Sequence, residues 1–107
     1  MKVAVSNWEG RISPVFDVTA HVVLVEIIGD KESNREQILL TTDDPVERAC
    51  LLARMGIEVL ICGSVTKTLE RALASQGIHV VPNVCGKVEE VLESYMKGRL
   101  NQGREYV

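Results

Sequence analysis

The sequence predicts an α/β domain: a single five-stranded mixed sheet, strand order 3-2-1-4-5, with helices on both faces. Three observations predict it. The stretch Glu58-Val59-Leu60-Ile61-Cys62-Gly63-Ser64 is an apolar run lying between two capped helical segments, as a central parallel strand does. From that point on, strand-like and helix-like segments alternate, which is the βαβ pattern. The first half instead places two strand-like runs on either side of a polar reversal, which reads as a hairpin. A chain of 107 residues with 46% hydrophobic residues can bury a core of its own without staples.

Each element has a local reason. Lys2-Val3-Ala4-Val5 is a short strand, apolar enough to be buried on both faces. Residues 6–20 form a long connection with turn residues at Glu9-Gly10 and Ser13-Pro14, and loops of this length are uncommon unless they do something. His21 to Ile28 is the second strand, Gly29 to Asn34 the reversal, and Glu36 to Thr41 a more polar third strand at a sheet edge. The first helix starts at Asp44 as N-cap, with Pro45 at the first helical position and Glu47 completing a capping box. Val46, Ala49, Cys50 and Ala53 recur at helical spacing and are expected to form its buried stripe, and Gly56 ends it. After the fourth strand, a helix over about 66–76 turns Leu69, Ala72 and Leu73 inward and stops at Gly77. Ile78 to Val81 is the fifth strand, closed by Pro82. A third helix over about 87–97 carries Val88, Val91, Leu92 and Tyr95 on one face and stops at Gly98, which leaves 99–107 as a frayed tail.

Bulk properties exclude several function classes. The net charge is −3, the pI about 5.4, and basic residues are interleaved with acidic ones, so the chain lacks the basic footprint of a nucleic-acid binder. No apolar run approaches the ~20 residues of a membrane-spanning helix. The three cysteines show no CxxC spacing, which argues against a disulfide framework. With no leader architecture before the first strand, a cytoplasmic location is expected.

With the fourth strand beside the first, the direction of connection switches between them. Open α/β sheets bind ligands at the carboxyl ends of strands at such a switch point. The crevice is therefore expected between Ser6-Asn7-Trp8 and Cys62-Gly63-Ser64. Cys62 reads in two ways: a partly accessible thiolate suited to iron or another soft metal, or a small buried hydrophobe. Cys85, in a loop before a helix start, opens on the same side, where the two thiols could converge. Cys50 reads as core. His21 begins a strand antiparallel to the first, so it lies at the crevice end, whereas His79 falls at the opposite end. Trp8, the sole tryptophan, either walls a pocket or folds onto the core. Catalytic patterns are missing. The first strand carries no carboxylate for a two-metal nuclease, and Gly63-Ser64-Val65-Thr66-Lys67-Thr68 lacks the phosphate-loop framework. A weaker idea, anion or nucleotide binding at residues 64–68, rests on the following helix start.

The stretches Met1-Lys2-Val3-Ala4-Val5, Gly10-Arg11-Ile12-Ser13-Pro14-Val15-Phe16-Asp17, Gly56-Ile57-Glu58-Val59-Leu60-Ile61-Cys62-Gly63, Ala74-Ser75-Gln76-Gly77-Ile78-His79-Val80 and Val88-Glu89-Glu90-Val91-Leu92 follow in an informative order. Together they resemble the dinitrogenase iron–molybdenum cofactor biosynthesis family over residues 1–98. The resemblance implies a ribonuclease H-like fold. It also implies a non-catalytic protein that binds or carries an iron–sulfur or iron–molybdenum type cluster, exchanged with metallocluster donor and acceptor proteins. If such a cluster sits in the crevice read above, Cys62, Cys85 and His21 would ligate metal, and Ser6, Asn7, Trp8, Ser13, Phe16, Gly63 and Ser64 would contact the cluster. Many members carry a histidine where this chain has Val15. The alternative is a metal-free regulatory or protein-interaction module that uses the same loops.

Overall fold

A computed structural model describes residues 1–98. Strands β1 (Lys2–Ser6), β2 (His21–Ile28), β3 (Lys31–Leu39), β4 (Val59–Ile61) and β5 (His79–Val81) form one sheet in the order β3-β2-β1-β4-β5. This is the expected order. β1 pairs antiparallel with β2 and parallel with β4, and β4 pairs parallel with β5. Helices α1 (Pro45–Arg54) and α2 (Lys67–Ser75) cover one face, and α3 (Val88–Met96) covers the other. The alternation of side chains along the strands divides the interior in two. Ala4, Leu24 and Leu60 pack under α1 and α2 with Leu52, Leu69 and Leu73, whereas Val3, Val5, Val25 and Ile61 pack under α3 with Val88 and Leu92.

Two elements differ from the sequence reading. The hairpin reversal is only Gly29-Asp30, because Ile28 pairs with Lys31 and Gly29 takes a φ of +67°. The third strand therefore runs Lys31–Leu39 rather than 36–41: an edge strand tolerates the polar stretch Lys31–Asn34, since only one of its sides is paired. The second difference is the face of α1. Val46 is 61% exposed and Cys50 only half-buried, while Arg48, Ala49 and Leu52 are buried. The helix offers two overlapping apolar stripes, and the one through Leu52 buries the larger side chain. The helix start is half a capping box: the Asp44 carboxylate accepts from Glu47 N at 3.0 Å, but Asp44 N donates to Thr42 Oγ1 rather than to Glu47. α2 and α3 turn inward the faces expected of them, with Leu69, Leu73, Val88, Val91 and Leu92 buried. The expected tail at 99–107 lies outside the described residues.

Candidate functional site

The carboxyl ends of β1 and β4 open where the sequence places them, but the chain itself fills the space between. Residues 7–20 fold over it in three fixed steps. Trp8 and Arg11 exchange backbone hydrogen bonds of 2.8 and 3.0 Å across a turn in which Glu9 and Gly10 have φ of 51° and 83°. The Asn7 side-chain oxygen steadies that turn by accepting from Gly10 N at 3.0 Å. Next, Ile12 N donates to Gly86 O and Val88 N to Gly10 O, which stitches the loop to the start of α3. Last, Ser13-Pro14-Val15-Phe16 runs alongside Gly63-Ser64: Ser64 N donates to Pro14 O and Phe16 N to Ser64 O, both at 2.8 Å.

Gly63 makes that approach possible. A Cβ there would lie 2.5 Å from the carbonyl oxygens of both Ser13 and Pro14. Asp17 then ties the loop to the start of α2, accepting from Thr66 N at 2.9 Å and from Thr66 Oγ1 at 2.6 Å.

The expected single crevice is thereby split into two clefts that share Pro14. One, of about 420 Å³, is lined by Asn7, Trp8, Ser13, Val18 and His21. The other, also about 420 Å³, is lined by Arg11, Gly63, Ser64, Asn83, Cys85 and Gly86. The first has an apolar rim, with Trp8 62% and Val18 78% exposed. At the second, Asn83 N donates to Gly63 O and Val84 N to Cys62 O, which ties together the segments that follow β4 and β5.

The residues singled out in the sequence are thus divided. Asn7, Trp8, Ser13 and His21 meet in the first cleft, and Gly63, Ser64 and Cys85 in the second. Ser6, Phe16 and Cys62 are buried and line neither. Phe16 is wholly buried in the core, and the Ser6 hydroxyl is buried with no partner within the protein. Cys62 is not partly accessible, as the thiolate reading requires. It follows Leu60 on the face turned toward α1 and α2 and has no exposed surface. Burial there, reinforced by the charges of Glu70 and Asp17, pushes its thiol up to about 12, so it is protonated at neutral pH. Cys62 and Cys85 therefore do not converge, and among the described residues no three His, Cys, Asp or Glu side chains are grouped to hold a metal ion. His79 is exposed at the start of β5, at the far end of the sheet as expected.

Arg11 and Asn83 line the second cleft without having been singled out. Asn83 carried a local sign, since asparagine after Pro82 suits the left-handed φ of 62° that it adopts. Arg11 carried none: it reaches the cleft through its bridge to Lys87, a contact remote in sequence.

Comparison with known proteins gives the fold context. The family model for dinitrogenase iron-molybdenum cofactor matches residues 1–98. Among solved structures, the crystal structure of PH0822 superposes with a TM-score of 0.88 at 21% identity, covering 96% of this chain and 95% of that one. The apo form of the orange protein from Desulfovibrio gigas gives 0.79 at 23% identity, covering 95% and 92%. A candidate dinitrogenase from Methanocaldococcus jannaschii gives 0.77 at 18% identity, covering 95% and 93%. No curated protein sequence matches the chain.

Proposed function

This chain belongs to the dinitrogenase iron-molybdenum cofactor family over residues 1–98, and from that membership we propose that it is a non-catalytic carrier whose cargo is an iron–sulfur or iron–molybdenum type cluster. The family match is the observation that carries the reading. The cargo sits at the carboxyl end of the sheet, in the clefts on either side of Ser13–Phe16. Cys85, exposed at the edge of one, supplies a thiolate, and His21, exposed at the edge of the other, an imidazole. Backbone N–H groups and the hydroxyl of Ser64 meet the cluster's sulfides. So few strong ligands suit handover between donor and acceptor proteins in the cytoplasm better than permanent residence. Cys62 takes no part in ligation, because its side chain is wholly buried among the residues under α1 and α2 and lines neither cleft.

The test is iron, molybdenum and sulfide analysis of protein purified without oxygen from its native host, followed by reconstitution. Near-stoichiometric iron with sulfide, lost in Cys85→Ala and retained in Cys62→Ala, supports the carrier. Metal-free protein that also takes up no added cluster overturns it.

One observation favours a second reading, a metal-free interaction module. Trp8, Val15 and Val18 are all exposed on the loop over the site, at 62%, 40% and 78%, and an exposed tryptophan with apolar neighbours suits a protein contact. Under that reading Trp8→Ala abolishes partner capture, and metal content is irrelevant.

A further inference from the structure

The second cleft differs from the first in charge. Arg11 is the one charged side chain among the residues that line it, and no carboxylate does. The first cleft is lined by neither arginine nor lysine. Arg11 is exposed, and its backbone is fixed by the exchange with Trp8 and by the antiparallel bridge to Lys87. That bridge sets two cations directly opposite each other, an unfavourable pairing when nothing neutralises it. Among the described residues neither Arg11 nor Lys87 forms an ion pair. Of the carboxylates near them in sequence, Glu89 is held by Arg35, while Glu9 and Glu90 are exposed and reach neither cation.

The serine hydroxyls around the clefts are already engaged. Thr19 Oγ1 lies 2.7 Å from Ser13 Oγ and 2.8 Å from Val15 O. A carbonyl only accepts, so the Thr19 proton goes to Val15 O and the Ser13 hydroxyl spends its own proton on Thr19. Ser64 Oγ donates to Pro14 O at 3.0 Å, a bond it must give up before it meets a cargo atom. Arg11 and Asn83 are therefore the side-chain donors of the second cleft with no hydrogen bond to lose among the described residues, and only Arg11 brings charge.

Resting on the carrier reading, we propose that the second cleft takes the cargo as an anion and that Arg11 selects for its negative charge. The guanidinium offers N–H donors in a fixed plane to sulfide or oxygen atoms of the cargo, beside the metal that exposed Cys85 ligates under that reading. Lys87 adds positive charge from across the bridge. Net charge and hydrogen bonds to sulfur are levers by which a protein acts on such a cluster. The charged end of the cargo therefore lies against Arg11 and Cys85 rather than against Trp8 and His21.

The experiment is a titration, without oxygen, of the full chain with a preformed iron–sulfur cluster capped by small thiols, which carries net negative charge. Visible absorbance and circular dichroism follow binding at about 50 and about 300 mM potassium chloride. The chain's net charge of −3 by itself repels an anion, so an affinity that falls as salt rises reports a local positive site. That fall is expected of the wild type. R11Q is expected to bind roughly tenfold more weakly at low salt and to respond less to salt, and R11K to recover part of the loss. A merely structural arginine would leave the salt dependence unmoved. Equal binding by wild type and R11Q, with equal salt dependence, overturns selection by Arg11 and leaves the carrier reading standing. No binding by the wild type at either salt concentration removes the carrier reading, and this inference with it. Should R11Q fail to fold, the wild-type titration decides alone: an affinity that does not fall with salt overturns the proposal.

Discussion

Cys62 combines a chemically tempting residue with a position that disarms it. Its thiol ordinarily titrates near 9.0, and burial pushes it up to about 12. The folded chain therefore keeps a proton that the unfolded chain releases above pH 9. The stability this contributes is fully present below the unfolded value and is lost as pH rises toward the folded one. Between those limits the loss should approach about 1.4 kcal/mol per pH unit from this group. Denaturant unfolding of wild-type and Cys62→Ala protein from pH 8 to 11 checks this. The variant should be less stable at neutral pH by about 1–3 kcal/mol, for the cavity, and should show a shallower decline in base. Equal slopes would mean that the thiol ionises in the folded state as freely as in the unfolded one. The sequence made Cys62 legible as the end of a central strand but not its direction. Which face it presents follows from the pairing of Leu60 with Ala4 and Val80, set by residues far along the chain. For the same reason Cys85 was legible as lying in a loop before a helix on the crevice side, whereas the convergence with Cys62 that was entertained for it turned on that face and was not legible.

At the level of elements, the loop over residues 7–20 is shaped by what it touches. The dipeptide Gly63-Ser64 receives the Ser13–Phe16 segment through two backbone hydrogen bonds and a closeness that only glycine allows. Gly63→Ala pits a methyl group against two carbonyl oxygens, neither of them the end of a flexible side chain. It should cost about 1–3 kcal/mol and speed hydrogen exchange at the amides of Phe16 and Ser64 while leaving β2 and β3 unchanged. Unchanged exchange at both amides would show that the loop is held elsewhere. Asp17 provides the second anchor, capping the start of α2 from outside the helix. Asp17→Ala should cost about 1 kcal/mol, the scale of a lost cap with its favourable charge, seen as a lowered unfolding midpoint in urea. Neither anchor was readable beforehand. A loop's path depends on partners about fifty positions away, whereas helix caps and stops such as Asp44, Gly56 and Gly77 act within a few residues and were legible. The face of α1 fell between these cases: its periodicity was local, but the choice between the stripes of Val46 and Leu52 was made by the sheet beneath.

For the whole molecule, the topology was the most legible feature, because strand count, alternation and the hairpin leave few ways to order five strands. It brings β1 and β4 side by side and so gathers both clefts at one end of the sheet, with Cys85 and His21 at their edges. Under the carrier reading, a cargo spanning both clefts would touch the 7–20 loop, the residues that follow β1 and β4 and the segment before α3, so its binding energy would be coupled to global unfolding rather than to one loop. If the carrier reading holds, cluster at a hundred times its dissociation constant should stabilise the fold by about 2.7 kcal/mol, a rise in thermal midpoint of roughly 10 °C for a domain of this size. The same loading should shield exposed Cys85 from iodoacetamide and leave Cys62 unreactive with or without cluster, until the chain unfolds. Scanning fluorimetry and mass-spectrometric mapping of the alkylated cysteines, both done without oxygen, read the two effects in one preparation. A raised midpoint with Cys85 still fully alkylated would place the cargo against the Trp8 and His21 cleft alone. Protection of Cys85 without any rise would mean that cluster binds the unfolded chain about as well as the folded one, which a carrier built on this fold could not do.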